Sequence, residues 1–374
     1  MISEQKVKKT LKVKSPGRIN LIGEHTDYND GFVLPGAIDK AMEFNIEEVD
    51  GNITELIALD INDSIKFEAN DLKKSEKDWA NYCIGLLDLM RKKGVNVPAF
   101  KCSFGGNIPL GAGLSSSAAL SCGFMYAVSE FFGLGLERLE IAKLAQKAEH
   151  EYAGVMCGIM DQYAVVFGKE DAFIQIDCRT FEHNVIQGDF SGYSVLLCDT
   201  NVKHSLASSE YNTRRKECQS GVKAIQEFKP EVKSLRDATL ADLESIKGNV
   251  SQDVMDRCTY VIREIKRVED AVEAIAKGDL IKVGQLMYET HEGLSVRYKV
   301  SCDELDVLAA FAKEHDAVIG ARMMGGGFGG CTINLVKEDQ LEIFKEAIAP
   351  HYKAKTGKDV TFYDVKISNG VATV

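Results

Sequence analysis

The residues best equipped for chemistry run Gly105-Gly106-Asn107-Ile108-Pro109-Leu110-Gly111-Ala112-Gly113-Leu114-Ser115-Ser116-Ser117-Ala118-Ala119. Glycines allow positive φ and close backbone approach to a ligand. Three adjacent serines bring hydroxyls to the point where a helix-forming run, Ala118 to Val128, begins. Unpaired N–H groups and the positive end of a helix dipole would face outward there, which suits a phosphate. The common phosphate motifs do not fit. Gly106 and Gly111 have Walker A spacing, but Ala112 stands where that loop carries lysine, and the lysine strand and His-Arg-Asp loop of a protein kinase are missing. On residue types alone, a Gly/Ser turn capping an ordinary helix stays open.

A second concentration lies upstream, in Arg18-Ile19-Asn20-Leu21-Ile22-Gly23-Glu24-His25-Thr26-Asp27-Tyr28-Asn29-Asp30-Gly31. A cation, carboxylates, a histidine and amides supply donors and acceptors in fixed directions, as a polyhydroxylated ligand requires. The alternative is a solvated loop ending in an Asn-Asp-Gly turn. Further on, Asp161 stands between apolar Ile159-Met160 and Tyr163 to Phe167, either as a helix N-terminal acid or as a carboxylate in a partly dry site. Five glycines among residues 325–330 cost chain entropy and imply close backbone approach to a neighbour.

The elements that must position these groups follow from periodicity and breakers. Leu11 to Lys14 alternates as a strand and is expected to break at Ser15-Pro16-Gly17. Ala41 to Glu47, Ile53 to Leu59 and Ile65 to Phe67 read as strands, Trp79 to Met90 as a helix, and Phe100 to Phe104 as the strand feeding the Gly/Ser loop. Leu136 to Tyr152 is helical, Ala172 to Leu197 strand-rich, and Tyr211 opens a charged helix. Asp253 to Ala276, Leu280 to Glu292, Asp303 to Ala312 and Asp339 to Ala347 are helical; Cys331 to Leu335 and Val360 to Val365 are strands.

At 374 residues with 45% hydrophobic content, the chain can bury a sizeable core in two domains, with an expected boundary near Gly192, giving 1–192 and 193–374. A net charge of -11 argues against nucleic acid, whose first requirement is a basic patch. There is no apolar run of membrane-span length and no signal-peptide core, so a cytoplasmic location is expected. Ten scattered cysteines without a Cys-x-x-Cys pair read as reduced, mostly buried thiols, with neither disulfides nor zinc.

The segment from Pro109 to Ala118 resembles the ATP loop of the GHMP small-molecule kinases, Pro-x-Gly-x-Gly-Leu-Ser-Ser-Ser-Ala. Pro16 to Tyr28, running on through Gly31 and Val33-Leu34-Pro35, resembles the galactokinase signature. So do Gly158-Ile159-Met160-Asp161-Gln162 and the stretch Ser209 to Arg215. This resemblance implies an α+β, two-domain GHMP kinase fold, with a mixed-sheet N-terminal domain, an α/β sandwich C-terminal domain and the active site between them. It implies ATP-dependent, Mg²⁺-assisted phosphorylation of the C1 hydroxyl of galactose. Asp161 would face that hydroxyl as base or orienting group, with Arg18 beside the C1 oxygen. Glu24, His25, Thr26, Asp27, Gly158 and Tyr211 would contact the sugar. Gly111, Ala112, Gly113, Leu114, Ser115, Ser116 and Ser117, with Trp79 near the adenine, would bind ATP, and Ser117 with Glu149 would hold Mg²⁺. The 320–334 glycine motif would pack beside the phosphate loop. Lys203 replaces an arginine found in some members, and His150 is expected to make a local hydrogen bond rather than bind metal. The same resemblance leaves open a kinase for N-acetylgalactosamine or a related sugar, and a non-catalytic galactose and ATP sensor. No membrane or obligate protein partner is expected.

Overall fold

A computed structural model of the protein describes residues 8–109, 111–202 and 207–374, with 207–209 described by backbone alone; Leu110 and Lys203 lie outside these. The first half runs β1 (Thr10–Asn20), β2 (Phe32–Val33), β3 (Pro35–Glu48), β4 (Ile53–Ala58), β5 (Asp63–Glu68), α1 (Asp78–Lys92), β6 (Phe100–Gly106), α2 (Ser116–Phe132), α3 (Arg138–Ala148), α4 (Met160–Phe167), β7 (Ala172–Asp177) and β8 (Glu182–Gln187). The second half runs β9 (Tyr193–Asp199), α5 (Ala207–Gln226), α6 (Leu240–Ser245), α7 (Gln252–Ala276), α8 (Leu280–Glu292), α9 (Asp303–Glu314), β10 (Val318–Met323), β11 (Cys331–Lys337), α10 (Leu341–Thr356), β12 (Thr361–Val365) and β13 (Ala372–Thr373).

Six strands form a mixed sheet in the order β13-β1-β3-β6-β4-β5, with β4 and β6 parallel and the other pairs antiparallel. Ser15-Pro16-Gly17 does not end β1. The strand runs on to Asn20, with a register irregularity in which Pro16 pairs with Ala41 and Arg18 with Ala37. Proline donates no ladder bond and is tolerated at such a bulge. A Cβ at Gly17 would lie 2.8 Å from the Leu114 carbonyl, so only glycine lets the Gly/Ser loop reach this strand. Helix α2 packs on the sheet because it is nearly all apolar on its inner side, and a Cβ at its Gly123 would meet the Phe44 ring at 2.3 Å.

A second sheet, β10-β11-β9-β12, is wholly antiparallel, and a third joins β2, β7 and β8. The expected boundary at 192/193 falls just before β9. The C-terminus nevertheless crosses back, with β13 pairing to β1 through Val13↔Thr373. Helix α7, from the second half, packs under the Gly23–Gly31 loop, since a Cβ at Gly23 would meet Val268 and one at Gly31 would meet Ile265, each at 2.8 Å. The helix expected to reach Tyr152 ends at Ala148 and widens into a π-helical turn, Glu149–Ala153. All ten cysteines are free thiols, eight of them buried. Among the described residues no helix is long and apolar enough to cross a membrane.

Candidate active site

Arg18 and Asp161 are 143 residues apart in sequence and face each other squarely. Arg18 Nε donates to Asp161 Oδ1 and Nη2 to Oδ2, each at 2.8 Å. The third guanidinium nitrogen, Nη1, donates to the Gly113 carbonyl at 2.6 Å, and the Arg18 amide to the Leu114 carbonyl at 3.2 Å. The pair is thereby fixed to the Gly/Ser loop. Ser115, held at φ +58°, donates its hydroxyl to Asp161 Oδ2 instead of capping α2. The first amides of that helix therefore have no side-chain cap. Gly111 and Gly113 adopt φ of +82° and +77°, while Ala112 and Leu114 turn inward and are buried. Burial opposes the charge on Arg18, yet Asp161, Glu24 and Asp27 together hold its pKa above the ordinary value.

Two openings adjoin this loop. The first is a polar cavity of about 150 Å³ whose walls include Arg18, Glu24, His25, Asp27, Gly158, Asp161 and Tyr211. Glu24 is held from behind by Arg322, which donates Nη1 and Nη2 to its Oε1 at 3.0 Å, and by the Gly325 amide at 2.8 Å. Asp27 accepts from the Tyr28 amide at 3.0 Å. Burial, reinforced by Asp161, pushes its carboxyl up to about 7. His25, at φ +62°, is driven down to about 3 by burial, so its ring is neutral. Gly158 has no room for a side chain, because its Cβ would fall 1.7 Å from Asp27 Oδ2. The Tyr211 ring lies tilted against His25 and edge-on to Tyr28, at centroid distances of 5.2 and 5.4 Å.

The second opening, about 290 Å³ and mostly apolar, is lined by Met42, Ile61, Trp79, Tyr82, Phe104, Leu120 and the hydroxyl-bearing Ser116 and Ser117. Trp79 is fixed by an indole N–H bond to Asp63 at 2.9 Å and an edge contact with Phe104. The two openings meet where Ser117 Oγ lies 3.3 Å from Glu149 Oε1. Gln162 holds the other Glu149 oxygen at 2.9 Å, and burial followed by Asp161 raises this carboxyl to about 7.

The expected site residues thus converge, with one exception. Thr26 does not reach the cavity. It is fully buried and its hydroxyl lies 2.6 Å from the Phe32 carbonyl and 2.8 Å from that of Gly23, so it builds the loop that presents its neighbours. His150 bonds the Cys157 carbonyl at 2.8 Å. Sequence reasoning missed Arg322, Gln162 and the cavity wall at Gly325 and Gly326. The only sequence signal for Arg322 was its place just ahead of the 325–330 glycines. That segment does pack against the loop, with Gly325 and Gly330 lying against the carbonyls of Gly113 and Ala112.

A loop-borne helix N-terminus beside a mixed sheet, opening onto a carboxylate-guanidinium pair, defines the class. The chain is a GHMP-type small-molecule kinase: residues 81–169 match the GHMP kinases N terminal domain and residues 271–354 the GHMP kinases C terminal domain. Residues 4–45 match the galactokinase galactose-binding signature. The chain is 42% identical over 364 residues to the galactokinase of Thermosipho africanus, covering 97% of this chain and all of that one. It is 40% identical to that of Clostridium acetobutylicum, over 96% and 94% of the two chains. It superimposes on Lactococcus lactis galactokinase, solved with galactose, at a TM-score of 0.94 and 32% identity, over 99% and 97% of the chains. Methanococcus jannaschii mevalonate kinase, at 0.67 and 21%, shares the fold, over 96% and 99% of the chains. The protein belongs to the galactokinase family.

Proposed function

We propose that the protein transfers the γ-phosphoryl group of ATP to the C1 hydroxyl of D-galactose, giving galactose 1-phosphate and ADP. The observation that carries this reading is the Arg18–Asp161 pair, anchored to the Gly113 carbonyl and Ser115 at the junction of a polar cavity and an apolar cleft. Sugar fits the first opening, adenine the second beside Trp79, and the phosphates the uncapped start of α2.

Phosphoryl transfer has a loose transition state, so catalysis is chiefly positioning and charge stabilisation. In this reading Asp161, gripped by three hydrogen bonds, orients the C1 hydroxyl and receives its proton. Aspartate is a weak base, so that transfer comes late. Arg18 stays charged and stabilises the developing oxyanion. Glu24, His25, Asp27, Gly158 and Tyr211 orient the sugar. Ser117 and Glu149 suit Mg²⁺, which takes hard oxygens and is commonly held by one carboxylate plus substrate phosphates. Glu149 is buried and has no cation paired with it among the described residues, as a metal-binding carboxylate would be. Bound there, Mg²⁺ would neutralise phosphate charge. Use of ATP fits a cytoplasmic enzyme, and the division near residue 192 would place the sugar and ATP motifs on the first half.

The test is ADP release from Mg-ATP across galactose, N-acetylgalactosamine, glucose and mevalonate. Turnover on galactose is expected, and Asp161→Asn should lower kcat at least a hundredfold, about the contribution of a positioned acid or base, with little change in ATP affinity. Unaltered kcat in the variant would remove Asp161 from the chemistry.

A further inference from the structure

His25 sits at the end of a buried chain of hydroxyls that no sequence motif announces. Its Nδ1 lies 2.7 Å from Tyr28 Oη, which lies 2.7 Å from Tyr298 Oη, which lies 3.3 Å from Cys218 Sγ. His25, Tyr298 and Cys218 are almost wholly excluded from solvent. With each tyrosine proton kept within the chain, four groups joined by three bonds can order their protons in two ways. In one, Cys218 donates to Tyr298, Tyr298 to Tyr28, and Tyr28 to Nδ1, so the imidazole proton resides on Nε2. In the other, Nδ1–H donates outward, every bond reverses, and Nε2 becomes an acceptor.

The Cys218 end of the chain selects the first order. Reversal would make the Cys218 sulfur the acceptor and leave its own S–H, among the described residues, without an acceptor in a buried site, which is costly. Nε2 itself is buried without a hydrogen-bond partner in a ring that lines the polar cavity. A lone donor waiting there matches an acceptor oxygen of a ligand.

We propose that Tyr28, Tyr298 and Cys218 are positioning residues that fix His25 as the Nε2–H tautomer, so that it presents one hydrogen-bond donor to a sugar oxygen. The sugar part rests on the galactokinase reading above; the tautomer does not. The neighbouring carboxylates, Glu24 and Asp27, are acceptors when ionised, so His25 complements them. Neutral histidine would otherwise be free to choose either tautomer, and the relay removes that freedom.

The experiment is long-range ¹⁵N–¹H correlation on full-length protein labelled at histidine, with His25 assigned by loss of its signals in His25→Gln. The Nε2–H pattern is expected with and without galactose. Tyr28→Phe should give the Nδ1–H form or a mixture and raise the galactose KM about five- to tenfold, the effect of one lost hydrogen bond, with a smaller change in kcat. Tyr298→Phe should keep the Nε2–H form, because Tyr28 is then left with Nδ1 as its acceptor, and the pattern of the unaltered protein serves if Tyr28→Phe does not fold. An Nδ1–H pattern in the unaltered protein, or an unchanged tautomer in Tyr28→Phe, overturns the relay. An Nε2–H tautomer whose nitrogen and proton shifts galactose does not move supports the relay and counts against the sugar reading.

Discussion

Arg322 offers the sharpest test of how the sugar cavity is held. It is fully buried, and its five N–H groups reach Leu21 O, Asn20 O, Met323 O and, twice, Glu24 Oε1. Glu24 is 2% exposed, so the pair cannot be rescued by water. Lysine keeps the charge but has three donors, so at least two of these five contacts are lost. At about 1–1.5 kcal/mol each, Arg322→Lys should cost about 2–3 kcal/mol of stability. Arg322→Met removes the cation and leaves Glu24 buried with the Gly325 amide but no charge partner, at about 3–5 kcal/mol. Adding Glu24→Gln to Arg322→Met removes the stranded charge and should recover about 1–3 kcal/mol of that loss. The assay is equilibrium urea unfolding at one pH of the unaltered protein, Arg322→Met, Glu24→Gln and their double variant, with galactose KM measured on these and on Arg322→Lys with and without Glu24→Gln. Arg322→Lys should raise KM in the Glu24 background and have little further effect on KM once Glu24 is glutamine. A coupling energy below about 0.5 kcal/mol, or KM effects that simply multiply, would refute the idea that Arg322 acts through Glu24.

The carboxyl of Asp27 has a folded pKa of about 7, above its unfolded value, so the folded state binds the extra proton between the two. Its contribution is most favourable at low pH and is lost as pH rises towards 7, by on the order of 3–4 kcal/mol. Asp27→Asn should therefore be the more stable protein at pH 8 and show a flatter profile from pH 5 to 8 by thermal unfolding; parallel profiles would contradict this. Gly158→Ala drives a Cβ into Asp27 and should raise galactose KM more than tenfold while sparing ATP KM, unless the 154–158 backbone yields, in which case both constants stay put and the reading fails. Trp79→Ala should raise ATP KM several-fold with galactose KM unchanged, since the ring lines only the apolar cleft; an effect on galactose alone would place adenine elsewhere.

What was legible in the sequence was local. The glycines at 111 and 113, followed by three serines, dictate a loop that needs positive φ and the start of a helix, and both are present; that Ser115 turns to Asp161 and leaves the helix uncapped came from tertiary contact. The clustering of Arg18, Glu24, His25 and Asp27 within ten residues made a polar cavity readable, and the spacing of apolar residues located nearly every helix. Where the reading failed, tertiary contact had overridden a local rule. Ser15-Pro16-Gly17 stays in β1 because Gly17 admits the Leu114 carbonyl and a bulge absorbs the proline. Thr26 looks like a ligand but serves its own loop, because nearby backbone carbonyls are closer than any cavity. The return of β13 to β1, the grip of Arg322 on Glu24 across about three hundred residues of chain, and the Tyr28–Tyr298–Cys218 relay have no local signature. Hydrophobic periodicity records which face of an element is buried, not which distant element covers it. The sequence determined which groups could do chemistry; only the packing of the second half against the first decided which of them face one another.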